Sequence, residues 1–224
     1  MEFKPFSRHE GVVAPMMRND LEVEFISSPL NSQMSLHAPS NNEIIPHLHG
    51  TIAARTSSED AITHAFANER FLQDGSENPE FMLNQTPYRD ASILLMGKNF
   101  GIGSMQLMAS IQLLKCGVKA VIASSFGPTF YEDSIAMGLL PIVLCPELLG
   151  HLQRAVERSP GSTISIDLER MLIGQKDIGE IAFTLDDAVR SRFLNGRTGL
   201  DLLSEYEERT EKIKAVHKKL RPWL

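Results

Sequence analysis

The chain has 224 residues, 42% of them hydrophobic, which is enough for one substantial core, and its formal net charge is −6. Its basic residues are scattered until the C-terminal tail, which leaves no electrostatic footprint for nucleic acid. Its longest apolar runs are strand-length, far short of the ~20 residues of a membrane span, and the polar residues after Met1 offer no apolar signal core, so a cytoplasmic location is expected.

In chain order, residues 11–16 and 44–45 read as early strands, and residues 31–42, rich in Ser, Asn and Pro, as a loop. Residues 57–71 read as a helix with Ser58 as its cap, and residues 73–79 as turn chemistry. A regular alternation follows: strand 91–96 (ASILLM), helix 104–116, strand 120–124, helix 128–137, strand 141–144 and helix 146–158. Residues 163–168 alternate with the two-residue period of a half-buried strand; residues 181–185 are its expected hairpin partner, with 174–179 as the turn. Residues 186–194 read as a short helix and 200–220 as a charged surface helix. Strands alternating with helices favour right-handed crossovers and parallel pairing, hence one α/β domain over residues 1–224, with a mostly parallel central sheet and flanking helices.

The richest segment lies between the strand at 91–96 and the helix after it. Gly97, Gly101 and Gly103 let the backbone turn tightly, and Ser104 stands where a helix N-terminus begins, so backbone N–H groups and the positive end of a helix dipole would face an anionic small molecule. A serine here is also an ordinary helix cap. The turn is not a P-loop, because no Lys-Ser or Lys-Thr follows its glycines, and it lacks the third glycine of a dinucleotide fingerprint. Nor is it a nucleophile elbow, since Met105 and Gln106 follow Ser104.

The two cysteines, Cys116 and Cys145, read as buried small side chains, and two thiols cannot hold an iron–sulfur cluster, which takes about four. His47 and His49 could share one side of a strand, yet no third ligand lies at a supporting spacing, so no metal is assigned to this chain. His9, His37, His64, His151 and His217 are isolated. In the tail, Lys212, Lys214, Lys218 and Lys219 follow Glu205, Glu207 and Glu208, an order that suits the dipole of a solvated helix.

A resemblance sharpens this picture. Asn99-Phe100-Gly101, Gly103-Ser104, Ala109, Gly117, Val121-Ile122-Ala123, Ser125-Phe126, Phe130-Tyr131 and the run from Gly138 to Leu144 resemble the signature of the aconitase swivel-domain superfamily. Most closely they resemble the small subunits of 3-isopropylmalate dehydratase (isopropylmalate isomerase). Residues 6–15 (FSRHEGVVAP), 43–46, 78–84 and 194–196 extend the similarity over most of the chain, with residues 17–38 reading as an insertion. The resemblance implies a swivelling β/α domain that closes over a small hydroxy-acid substrate. It also implies a [4Fe–4S] cluster carried by a separate large subunit, and isomerisation of 2-isopropylmalate to 3-isopropylmalate, a step of leucine biosynthesis, or of a related 2-hydroxy acid, by dehydration and rehydration.

Carried onto this chain, the resemblance makes Ser104 the catalytic base and assigns substrate contacts to Gly101, Ile102, Gly103, Met105, Gln106, Asn42 and Arg70, the last matching a family arginine. Arg55 and Arg89 also fall near matching segments. The family continues its first serine with Ser-Arg-Glu-His; here Met105, Gln106, Leu107 and Met108 stand instead, and Ser40, Asn41 and Asn42 replace an Asp-Thr-Asp. Gln106 offers only neutral hydrogen bonds where arginine would clamp a carboxylate, and losing that clamp should cost on the order of a few kcal/mol of substrate binding. The alternative is a catalytically degenerate paralogue that serves as a structural or regulatory partner of a large subunit.

Overall fold

Successive residues of strand β2 (Ala91–Leu95) feed two hydrophobic layers: Leu94, with Met96 just beyond the strand, packs into one cluster, and Ile93 and Leu95 into the other. The computed structural model describes residues 5–27, 65–104 and 106–196. Within them β2 is one strand of a seven-stranded sheet. Its companions are β1 (Arg8–Pro15), β3 (Ala120–Ala123), β4 (Leu140–Val143), β5 (Thr163–Asp167), β6 (Leu172–Gln175) and β7 (Gly179–Ala182). The order across the sheet is β4-β3-β2-β1-β5-β6-β7. The pairs β1–β2, β2–β3 and β3–β4 are parallel; β5, β6 and β7 add an antiparallel extension beside β1.

The parallel half explains the apolar runs in the sequence. All four residues of β3 are buried, as expected of strands covered on both faces. On one face lie α3 (Gln106–Lys115), through Ala109 and Leu113, and the short turn α1 (Val23–Ile26), through Val23 and Ile26. The other face is covered by α5 (Pro146–Arg158) and α6 (Asp187–Asn195), through Leu149, Leu152, Val156 and Phe193. In α5 a proline stands in the first turn and the buried residues recur at helical spacing, so its apolar stripe faces the sheet. Helix α4 (Pro128–Met137) crosses beside α3, and buried Ser110 and Ser134 meet between them at 3.2 Å. A further short turn, α2 (Ala67–Arg70), packs beside α1.

The strands and helices expected between residues 91 and 158 form within two residues of their expected bounds. The antiparallel end corrects the sequence reading. The hairpin partner of β5 is β6, not the segment at 181–185, and β7 pairs with β6 instead. The stretch 172–175 was hidden because Gly174 looks like turn chemistry. It stands inside a strand, where an added Cβ would lie 2.6 Å from Ser165 Oγ, so the small residue serves strand packing. The turn itself is made by Gln175, whose side-chain oxygen accepts the N–H groups of Asp177 and Ile178. Cys145 is also corrected: it caps the N-terminus of α5 beyond the end of β4 and is exposed, while Cys116 is half-buried.

The second early strand at 44–45, the loop at 31–42, most of the helix expected at 57–71, the histidines 47 and 49, Arg55 and the C-terminal helix at 200–220 lie outside the described residues, as do Asn42 and Met105. Among the described residues no helix is long and apolar enough to cross a membrane.

Candidate active site

Parallel strands bring the loops that follow them together at one end of the sheet, which is where sites on such sheets are built. Here β1 and β2 finish together, with Pro15 opposite Leu95. The chain beyond each strand remains paired with the other. Met17 N–H donates to Leu95 O at 3.0 Å, Gly97 N–H to Arg18 O at 3.0 Å, Asp20 N–H to Lys98 O at 2.7 Å and Val23 N–H to Ile102 O at 2.8 Å. This double strap carries α1 against the Gly101–Ser104 turn. The described part of the segment that reads as an insertion is therefore built against the turn.

Beneath the turn lies an aromatic floor. The Phe100 and Phe130 rings meet edge-on with centroids 5.1 Å apart, and Phe126 stacks on Phe130 at 6.3 Å. Asn99 N–H donates to Ser125 Oγ at 2.8 Å and Gly127 N–H to Phe100 O at 2.9 Å, tying the turn to the end of β3. Tyr131 packs against Phe126, and burial, with Asp186 nearby, holds its phenol above its ordinary value, so it stays a neutral hydroxyl. Burial raises the Asp133 carboxyl in the same direction, reinforced by Glu132.

The turn uses its polar groups differently from the arrangement the sequence suggests. The N–H groups of Gly101 and Ile102 both point at Leu21 O, at 2.9 and 3.3 Å, so they hold the strap and are not turned toward an anion. Gln106 folds its amide back onto Gly103 O, closing the start of α3. Ser104 is exposed, and both its donors go to one atom: its hydroxyl donates to Glu24 Oε1 at 3.0 Å and its N–H to the same oxygen at 3.3 Å. Gly103 makes room for this approach, since a Cβ there would lie 2.6 Å from Glu24 Oε2.

Of the residues assigned to the site from sequence, Gly101, Ile102, Gly103, Ser104 and Gln106 lie on the one turn between β2 and α3. Arg70 lies on α2, where its Nε donates to Asn84 Oδ1 at 3.1 Å and its carbonyl accepts from Asn84 and Asn78. It therefore braces the loop after α2. Two residues that sequence reasoning passed over lie on the strap beside the turn. Glu24 is one. Arg18 is the other, its guanidinium lying 5.5 Å from the centre of the Phe25 ring and its Nη1 bonded to both oxygens of Glu69 at 2.6 and 2.7 Å. Topology was the usable signal: in a parallel pair, residues just after β1 must neighbour the turn just after β2.

The thiols do not suit an iron–sulfur cluster. Cys116 Sγ accepts the Ala65 N–H on one face of the sheet, and Cys145 heads α5 on the other. Among the described residues no three histidine, cysteine or acidic side chains are grouped to hold a metal ion.

Comparison with known proteins places this architecture. Residues 31–147 match the family model of the Aconitase C-terminal domain. The chain is similar to the 3-isopropylmalate dehydratase small subunit of Agrobacterium fabrum, 39% identical over 70% of this chain and 79% of the relative. It is likewise similar to those of Afipia carboxidovorans, 40% identical over 71% and 79%, and Brucella canis, 41% identical over 70% and 79%. Its fold is similar to a crystal structure of 3-isopropylmalate dehydratase from Methanocaldococcus jannaschii, with a TM-score of 0.56, 20% identity, and coverage of 92% of this chain and 98% of that one.

Proposed function

The chain belongs to the family of 3-isopropylmalate dehydratase small subunits, and we propose that it acts as the small subunit of such a hydro-lyase, joined to a cluster-bearing large subunit in the cytoplasm. The reaction is the isomerisation of 2-isopropylmalate to 3-isopropylmalate, or of a closely related 2-hydroxy acid. The observation that supports this reading is an exposed Ser104 on the turn beyond β2, backed by the double strap that pairs the chain after β1 with the chain after β2.

In this reading Ser104 Oγ accepts the proton from the substrate carbon adjacent to the one bearing hydroxyl. The electron pair left on carbon forms the double bond as hydroxide departs, and water returns at the neighbouring carbon. Bound in the partner, a [4Fe–4S] cluster would supply Lewis acidity at the substrate hydroxyl and carboxylate. What this chain provides is a placed base: the strap fixes the turn, and docking onto the large subunit makes proton abstraction effectively intramolecular.

Anaerobic co-expression with the large subunit of the same host tests the reading. A stable complex that converts 2-isopropylmalate, with neither chain active alone, is expected. A chain that fails to co-purify, or a cluster-loaded complex without turnover, would leave the structural or regulatory paralogue as the better account.

A further inference from the structure

The Glu24 carboxylate is placed where a purely structural group would be wasteful. One oxygen accepts both donors of Ser104, at 3.0 and 3.3 Å. The other, Oε2, is buried and has no hydrogen-bond partner among the described residues. None of the described lysines, arginines or histidines pairs with Glu24; the described ion pairs are Arg18–Glu69, Arg89–Glu77 and Arg170–Glu180. A carboxylate oxygen buried without a donor is costly, and a neutral amide at position 24 would hold the Ser104 N–H and hydroxyl as well. The charge therefore has another use.

A serine hydroxyl is a weak base unless its own proton has somewhere to go. We propose that Glu24 is the positioning residue for Ser104 that receives this proton, so that Ser104 and Glu24 act together as one base. This rests on the reading of Ser104 as the base of a dehydratase. As Ser104 Oγ takes the proton from the substrate carbon, the hydroxyl's original proton passes along the existing hydrogen bond to Glu24 Oε1. The carbon's electron pair forms the double bond as hydroxide leaves. In rehydration hydroxide adds to the carbon that lost its proton, Ser104 Oγ gives a proton to the carbon that lost hydroxide, and Glu24 returns its proton to Ser104 Oγ, so that Glu24 ends as the carboxylate it began as. The residue sits in a segment that reads as an insertion, on a four-residue helical turn held by the Val23 N–H to Ile102 O bond. The same chain has Gln106, folded onto Gly103 O, two positions after Ser104. The strap thus brings a charged partner to the serine from a different part of the chain.

The test is the steady-state kinetics of the reconstituted complex on 2-isopropylmalate with Glu24→Gln, Glu24→Asp and Ser104→Ala. Glu24→Gln keeps an acceptor for Ser104 and removes the proton sink. Its kcat is expected to fall by about 100-fold or more, the usual range for a lost acid–base partner, with KM changed less than about threefold. Glu24→Asp, which retains the carboxylate, is expected to recover at least about tenfold of that loss. A Gln variant with kcat within about threefold of the unsubstituted complex, or an Asp variant no better than Gln, overturns the inference while the Ser104→Ala loss leaves the parent reading standing. Should Glu24→Gln fail to assemble, Glu24→Ala assayed with added formate decides: restored turnover supports the role and none overturns it. An unsubstituted complex without turnover refutes the dehydratase reading itself, and the inference falls with it.

Discussion

Phe130 closes on Gly101 so tightly that a Cβ on the glycine would lie 2.3 Å from the ring's Cγ, and Gly101 has a φ of +80°. The turn that presents Ser104 is thereby locked to the aromatic floor from below. Gly101→Ala must adopt a left-handed conformation, costing about 1–2 kcal/mol, and displace a fully buried ring, costing about 1–3 kcal/mol more. Chemical denaturation should show a loss in this summed range, and turnover should fall with it because the ring can yield only by moving the turn.

Helix α6 begins at Asp186, whose Oδ1 accepts the N–H groups of Ala188 at 2.9 Å and Val189 at 3.3 Å. Asp186→Ala should destabilise the chain by about 1 kcal/mol, the usual worth of such a cap, with the denaturant slope unchanged. It should also ease the Tyr131 phenol back toward its ordinary value, because Asp186 is one of the two causes of its rise. A spectrophotometric titration of the tyrosines checks the direction.

His9 sets a pH dependence near the start of β1, the central strand, at the end opposite the strap. Its Nε2 lies 2.8 Å from Ser92 Oγ, and burial first, then the charge of Lys119, hold it below its ordinary value of 6.5. The unfolded chain therefore binds a proton at a higher pH than the folded one. The stability this represents is fully present above 6.5 and is lost as pH falls from there through the lowered folded value. Unfolding free energy measured from neutral pH downward should decline in this window, and His9→Gln should flatten that part of the profile.

The exposed Cys145 and half-buried Cys116 predict two reactivities. A maleimide should label Cys145 quickly and Cys116 slowly, since Cys116 packs against the core and accepts the Ala65 N–H. If the chain works as proposed, labelling Cys145 in the assembled complex should leave its cluster content unchanged, because the two thiols lie on opposite faces of the sheet. Cluster content after labelling is the readout.

The parallel half of the fold was legible because buried strands leave continuous apolar runs and their crossover helices carry plain start signals, as with Pro128 and Pro146. Leu172–Gln175 was not, because a glycine placed for packing against Ser165 is indistinguishable in sequence from one placed for a turn. At the site, the glycine turn and Ser104 were readable from local chemistry. The binding of the Gly101 and Ile102 N–H groups to Leu21 O was not, since it depends on a strap about eighty positions away along the chain, the separation that also divides Ser104 from Glu24. Residues that look like an insertion by comparison with a family can still pack against the turn when they follow a strand of the parallel pair.

The central claim is that this chain is a working small subunit whose base is Ser104. The most direct measurement is the initial rate of 2-isopropylmalate dehydration by the anaerobically assembled complex, unsubstituted and with Ser104→Ala. The account predicts turnover that drops by about 100-fold or more in the variant while assembly and cluster content are unchanged. Equal rates in the two complexes would contradict it.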